Sequence, residues 1–132
     1  MIPRKLVEQV LTAWGHRCVI GGPNCTGVAS VADHRCGRGS GGNKGLNTFV
    51  ALVAACGACN NDKESLPRLA ADCRERGISV PYSGTHGSLD KRAVTKETLH
   101  RLAQTPVTDA DGQSWWLLPS GVIVPHEPGV PF

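Results

Sequence analysis

Apolar positions set out the elements of this chain. Leu6, Val7, Val10, Leu11 and Trp14 recur at three- and four-residue spacing, which predicts an amphipathic helix over residues 3–14. Pro3 suits its first turn and Gly15 its end. Residues 16–32 read as strand-like fragments broken by the turn sequence Gly21-Gly22-Pro23-Asn24. Val28 to Ala32 is a short β-prone run that ends at Asp33-His34. From Gly37 to Gly45 five of nine residues are glycine, so a flexible loop is expected. Val50 to Ala55 is apolar and leads into Cys56-Gly57-Ala58-Cys59, where a second helix should start and run to about Ser65.

Pro67 opens a third helix that carries Leu69, Ala70, Cys73 and Arg76 and stops at Gly77. Residues 78–93 look like loop. Thr95 to Gln104 forms a short helix with Leu99, Leu102 and Ala103 on one face. Trp115 to Leu118, Pro119-Ser120-Gly121 and Val122 to Val124 read as a β-hairpin. Trp115 and Trp116 can stack on bases or a partner, but neighbours in a strand face opposite ways, so core packing is the expected role. The fold class is α+β, in two parts: residues 1–77, and an extension at 78–132 without a readable motif. His86, His100 and His126 have no ligand neighbours.

Composition adds a constraint. The 132 residues include 16 glycines and 9 prolines, and aromatics are only 5%. A core this thin in a small domain favours a covalent or metal staple. No apolar run approaches the roughly 18 residues a membrane span needs, and Val7-Glu8-Gln9 interrupts any signal-peptide core. A cytoplasmic location is expected, that of a bacterial host if the protein is phage-encoded, with no membrane partner. In that compartment cysteines favour metal binding or catalysis over disulfides.

Six cysteines are present: Cys18, Cys25, Cys36, Cys56, Cys59 and Cys73. Cys56 and Cys59 form C-x-x-C, and Cys18 and Cys25 form a looser pair around the Gly-Gly-Pro-Asn turn. Two such knuckles, 30 residues apart, can bring four thiolates to one tetrahedral Zn²⁺. Four thiolates leave no open position, so the zinc would be structural. A redox C-x-x-C and buried, unliganded cysteines are the alternatives. Cys36 and Cys73, without partners at ligand spacing, are assigned to the latter.

Between the knuckles stands Val31-Ala32-Asp33-His34-Arg35, and Asn60-Asn61-Asp62-Lys63 follows Cys59. A first knuckle, Asp-His, a Gly-rich loop, Leu-Val-x-x-Cys-x-x-Cys-Asn and a lysine three residues later resemble the zinc-containing HNH endonucleases. The likeness spans roughly residues 14–65 and is strongest to the short HNH proteins of phages infecting actinobacteria. It implies a ββα-metal core within residues 1–77, stapled by zinc, that hydrolyses DNA phosphodiester bonds by nicking or double-strand cleavage.

The resemblance assigns His34 as general base, and Asp33 with Asn60 as ligands of a catalytic Mg²⁺ or Mn²⁺. The residue types suit the chemistry. A histidine titrating near neutrality can take the proton of an attacking water, and a hard cation on oxygen ligands can hold the phosphate and the leaving oxygen. Asp33 and His34, adjacent in a strand, would need a local bend to converge.

The net charge is +3, with 14 Lys/Arg against 11 Asp/Glu, and residues 1–64 hold seven basic and four acidic residues. That favours a polyanionic partner, with Arg35, Arg38, Lys44 and Lys63 as candidate phosphate contacts, although each also reads as ordinary surface charge. DNA is the expected partner, with phage packaging or recombination proteins as further ones.

One position departs from the family pattern. The middle Asn falls where this chain has Ala51, and Asn47 lies four residues earlier. The family's middle Asn braces the loop and orients the general base. Its replacement leaves reduced activity, compensation by Asn47, or an inactive zinc module that binds nucleic acid or a protein partner.

Overall fold

The computed structural model describes residues 2–37, 44–81 and 91–127. Its order is α1 (Arg4–Ala13), β1 (Val31–His34), two 3-10 turns (Lys44–Leu46 and Phe49–Ala51), β2 (Leu52–Ala55), α2 (Gly57–Ser65), α3 (Pro67–Glu75), α4 (Lys91–Ala103), β3 (Val107–Thr108), β4 (Ser114–Leu117) and β5 (Ile123–Pro125). The class is mixed α+β, with two small antiparallel sheets, β1-β2 and β3-β4-β5.

α1 forms where the three- and four-residue spacing places it. The amides of Leu6 and Val7 donate to Pro3 O, and Val10 and Trp14 turn inward and are buried. Gly15 and His16 both take left-handed backbone, at φ of 63° and 59°, which reverses the chain. The stretch 16–30 is less regular than its sequence suggests: it holds a single bridge, Arg17 to Val28, that closes the loop around Cys18 and Cys25. Val28 is 66% exposed there, and the strand proper starts three residues later, at Val31.

β1 and β2 pair with Val31 opposite Ala55 and His34 opposite Leu52. Every residue of β2 is buried. That explains its continuous apolar run: the knuckle chain also docks on it, Val19 N–H donating to Ala54 O and Ser30 N–H to Ala55 O. α2 then begins beyond Cys56, whose sulfur accepts from the Cys59 amide as an N-cap. α3 has Pro67 in its first turn. It ends at Gly77, whose φ of 71° suits glycine, and where any side chain would collide with Pro106 O.

The main core gathers Val10, Trp14, Val19, Ile20, β2, Leu69 and Ile78 together with Val107 and Leu117 from the C-terminal sheet. That sheet therefore covers the same core as β1 and β2. A second cluster joins Cys36, Leu46, Ala51, Val80 and Leu102. Two features escaped the periodicity. α4 starts at Lys91, four residues before Thr95, and β3, at two residues, is too short to leave a pattern. Trp115 packs edge-on to Trp14 at 6.1 Å, and its Nε1 donates to Asp109 Oδ2 at 3.0 Å. Trp116, on the other face, meets the His126 ring edge-on at 4.7 Å. Among the described residues no helix is long and apolar enough to cross a membrane.

Candidate metal centre and the His34 site

The chain returns twice to one place to bring four cysteines together. Cys18 and Cys25 come from the loop closed by the Arg17–Val28 bridge, with Cys18 N–H donating to Gly27 O. Cys56 and Cys59 come from the start of α2. The four sulfurs all lie within 4.8 Å of one another, with Cys25 and Cys56 at 4.0 Å, and all four thiols are free of disulfides. A tetrahedron of ~2.3 Å Zn–S bonds would space its sulfurs roughly 3.8 Å apart, so the cluster is close to that size. The group can hold one metal ion.

Backbone amides point at the sulfurs: Gly22 N–H donates to Cys59 Sγ and Gly27 N–H to Cys25 Sγ, both at 3.3 Å, and Cys59 N–H to Cys56 Sγ at 3.4 Å. Gly22 lets the chain pass close to Leu69, whose side chain would have to shift to admit a Cβ. A Cβ there would stand 2.8 Å from Leu69 Cδ2 and 3.5 Å from Cys59 Sγ. Burial drives the Cys56 thiol upward, but hydrogen bonds from the Thr26 and Cys59 backbone and the Thr26 hydroxyl outweigh it and bring its pKa to about 6. Burial pushes Cys25 and Cys59 up, and the Gly27 and Gly22 amides offset it only in part. Cys36 and Cys73 lie elsewhere, in the second cluster and the main core, and burial raises both.

Asp33 and His34 close β1, and their side chains meet different partners, as strand alternation requires. Half-buried His34 contacts Asn47, with Nε2 2.9 Å from Asn47 Oδ1. Asn47 sits between the two 3-10 turns. An amide oxygen only accepts, so Nε2 carries the proton and Nδ1 is the basic nitrogen of the neutral ring. Asp33 turns inward instead. Lys63, from the last turn of α2, places Nζ 2.8 Å from Asp33 Oδ2 and donates to His34 O at 2.7 Å. The first contact is an ion pair by distance rather than an aligned hydrogen bond, since Oδ2 makes none. Burial pushes the Asp33 carboxyl up and the Lys63 ammonium pulls it back, leaving it above the ordinary carboxylate range. Asn60 is exposed on α2.

Two of the expected phosphate contacts need correction. Arg35 is 1% exposed, and its guanidinium is spent on four carbonyls: Gly77 O at 2.8 and 3.1 Å, Val50 O at 2.7 Å, Thr105 O at 2.8 Å and Leu102 O at 3.1 Å. Burial lowers its pKa to about 10, well above neutrality, so a full cation ties together the ends of α3 and α4, where helix dipoles favour it. Lys63 is 3% exposed and engaged as above. Neither reaches a DNA backbone. Arg38 lies outside the described residues, as do His86 and the Lys44 side chain.

The sequence did carry a signal for both. Lys63 follows buried Cys59 by four residues on one helix, so the two share a face. Arg35 follows inward-facing Asp33 by two residues. Arg76 gave no such signal, yet its guanidinium holds Val19 O and Ile20 O at 2.7 Å and Thr108 O at 3.1 Å, joining the knuckle to the C-terminal sheet.

No family model, curated protein or solved structure matches the chain.

Proposed function

We propose that the chain is a zinc-stapled DNA endonuclease of the HNH type, with His34 as the base that takes the proton of the attacking water. The metal of the four-cysteine centre is read as zinc, because four thiolates in a closed tetrahedral set suit that ion and leave it no open position. One observation carries the reading: the hydrogen bond from His34 to Asn47. It fixes the ring at the end of β1 with Nε2 donating to Asn47, and Nδ1 is the nitrogen that would take the proton of the attacking water. Asn47 thereby does the bracing that Ala51 lacks the atoms to do. The order of two paired strands followed by a helix, with knuckles on either side, is what a ββα-metal core requires.

Asp33 and Asn60 do not fit a catalytic divalent ion as they stand. The Asp33 carboxylate faces the Lys63 ammonium, and Asn60 alone offers one neutral oxygen. The same ion pair favours a second reading, a zinc module that binds DNA without cutting it.

Nicking of supercoiled plasmid by zinc-loaded protein, with and without added Mg²⁺ or Mn²⁺, tests the proposal. The wild type is expected to nick. His34→Ala is expected to lose about 10²–10⁴ in rate while still binding DNA. Binding without nicking under every cation condition would establish the second reading instead.

A further inference from the structure

The Asp33–Lys63 pair is the most buried ion pair among the described residues, its side chains 10% and 4% exposed. A buried carboxylate must be neutralised by something, and here the neutralising charge belongs to the chain. Lys63 also reaches the main-chain oxygen of His34, so one ammonium spans the carboxylate of one residue and the carbonyl of the next. The position is fixed from both sides. Lys63 shares a face of α2 with Cys59, so the four-cysteine centre anchors the helix that delivers it, while β1 is held in register against β2. Among the described residues the cysteines are also the only group of three or more His, Cys, Asp or Glu side chains close enough to share an ion, and Asp33 belongs to no such group.

We propose that Lys63 is the built-in cation of the His34 site, standing at Asp33 where a divalent ion would otherwise sit, so that divalent binding there requires expulsion of Lys63. An ion entering beside Asp33 would meet a like charge at close range in a poorly hydrated place. The importance of this exchange for cleavage rests on the reading of His34 as the general base. The exchange itself is measured without DNA, so a failed nicking assay leaves it standing.

The experiment is Mn²⁺ titration of the zinc-loaded chain, followed by the electron paramagnetic resonance signal of free Mn²⁺. The variants are Lys63→Met, which keeps the length of the side chain without its charge, Asp33→Asn, and the double variant. Wild type and Asp33→Asn are expected to give the same weak binding. Lys63→Met is expected to gain a site about tenfold tighter or more, because the main repulsion is removed, and the double variant to lose it. A wild-type site that Asp33→Asn abolishes would overturn the proposal. So would Lys63→Met with full zinc content and native circular dichroism but no gain in Mn²⁺ affinity. Should Lys63→Met fail to fold, the wild-type and Asp33→Asn comparison decides alone.

Discussion

The four-cysteine centre and the His34 site stand on the same strands and helix, and they treat charge in opposite ways. At the cysteines, up to four negative sulfurs converge, faced by backbone amides and the Thr26 hydroxyl but by no charged side chain among the described residues, so charge accumulates that a cation would relieve. At His34 the polar groups have already found partners in the chain: Asp33 with Lys63, His34 with Asn47, and Arg35 with four carbonyls. The first region can take a metal ion. The second is internally neutralised, and its chemistry depends on which partners can be exchanged.

The largest effect is expected where the first region is broken. Cys59→Ser removes a buried sulfur that accepts from Gly22 N–H in the first turn of α2. Binding free energy at structural zinc sites is folding free energy, about 10–16 kcal/mol in small peptides, so the variant should lose its zinc and most of its cooperative melt. Metal analysis and thermal circular dichroism check this together. A Cys59→Ser protein with one zinc per chain and an unchanged melt would remove the centre from the account. Cys73→Ser, outside the centre, should keep its zinc.

The next effect belongs to Arg35, whose loss would break the second region at its base. Arg35→Met strands carbonyls at the ends of α3, α4 and the Phe49–Ala51 turn. Breaking a buried charged network typically costs about 3–5 kcal/mol. Urea unfolding should show that loss, while the salt dependence of DNA binding stays as in the wild type. Unchanged stability with a shallower salt slope would mean that Arg35 contacts phosphate after all.

The two regions also differ in how far they could be read from sequence. The cysteine centre was legible because spacing alone brings ligands together: a C-x-x-C at a helix start and a turn-centred pair need no knowledge of the remaining fold. α1, α3 and the β4-β5 hairpin were legible for the same local reason. The partners of Asp33, His34 and Arg35 lie 13 to 70 residues away in sequence, on elements whose docking no periodicity reveals. Lys63 and Arg35 carried only a local hint of burial, from the faces they share with Cys59 and Asp33, and read as surface charge until their distant partners are placed. The start of β1 was misplaced because Val28, β-prone by type, is spent on an isolated bridge at the mouth of the knuckle.

A smaller effect sharpens the question of the missing asparagine. Ala51 is fully buried beside Cys36, Leu46, Val80 and Leu102, its N–H donating to Thr48 O and its oxygen accepting from Arg35 N–H. Ala51→Asn, which places the middle asparagine of the HNH pattern, would put an amide into that apolar cluster. A loss of about 1–3 kcal/mol is expected, with no gain in nicking. A stable and faster variant would show that position 51, not Asn47, is where the loop is braced.

The smallest change in stability, and the most informative about His34, is expected for Asn47→Ala. One hydrogen bond to a half-buried ring is worth about 0.5–1.5 kcal/mol, so the melt should move only slightly. Rate is more sensitive than stability to ring placement, since a misoriented base can cost about 100-fold. Nicking should therefore fall far more than the melt does, with zinc content and DNA affinity unchanged. Asn47→Asp keeps an acceptor for Nε2–H and should retain most of the rate. If Asn47→Ala nicks as fast as the wild type, the contact is packing alone, and the orientation of His34 is set by β1 and Lys63 through the main chain.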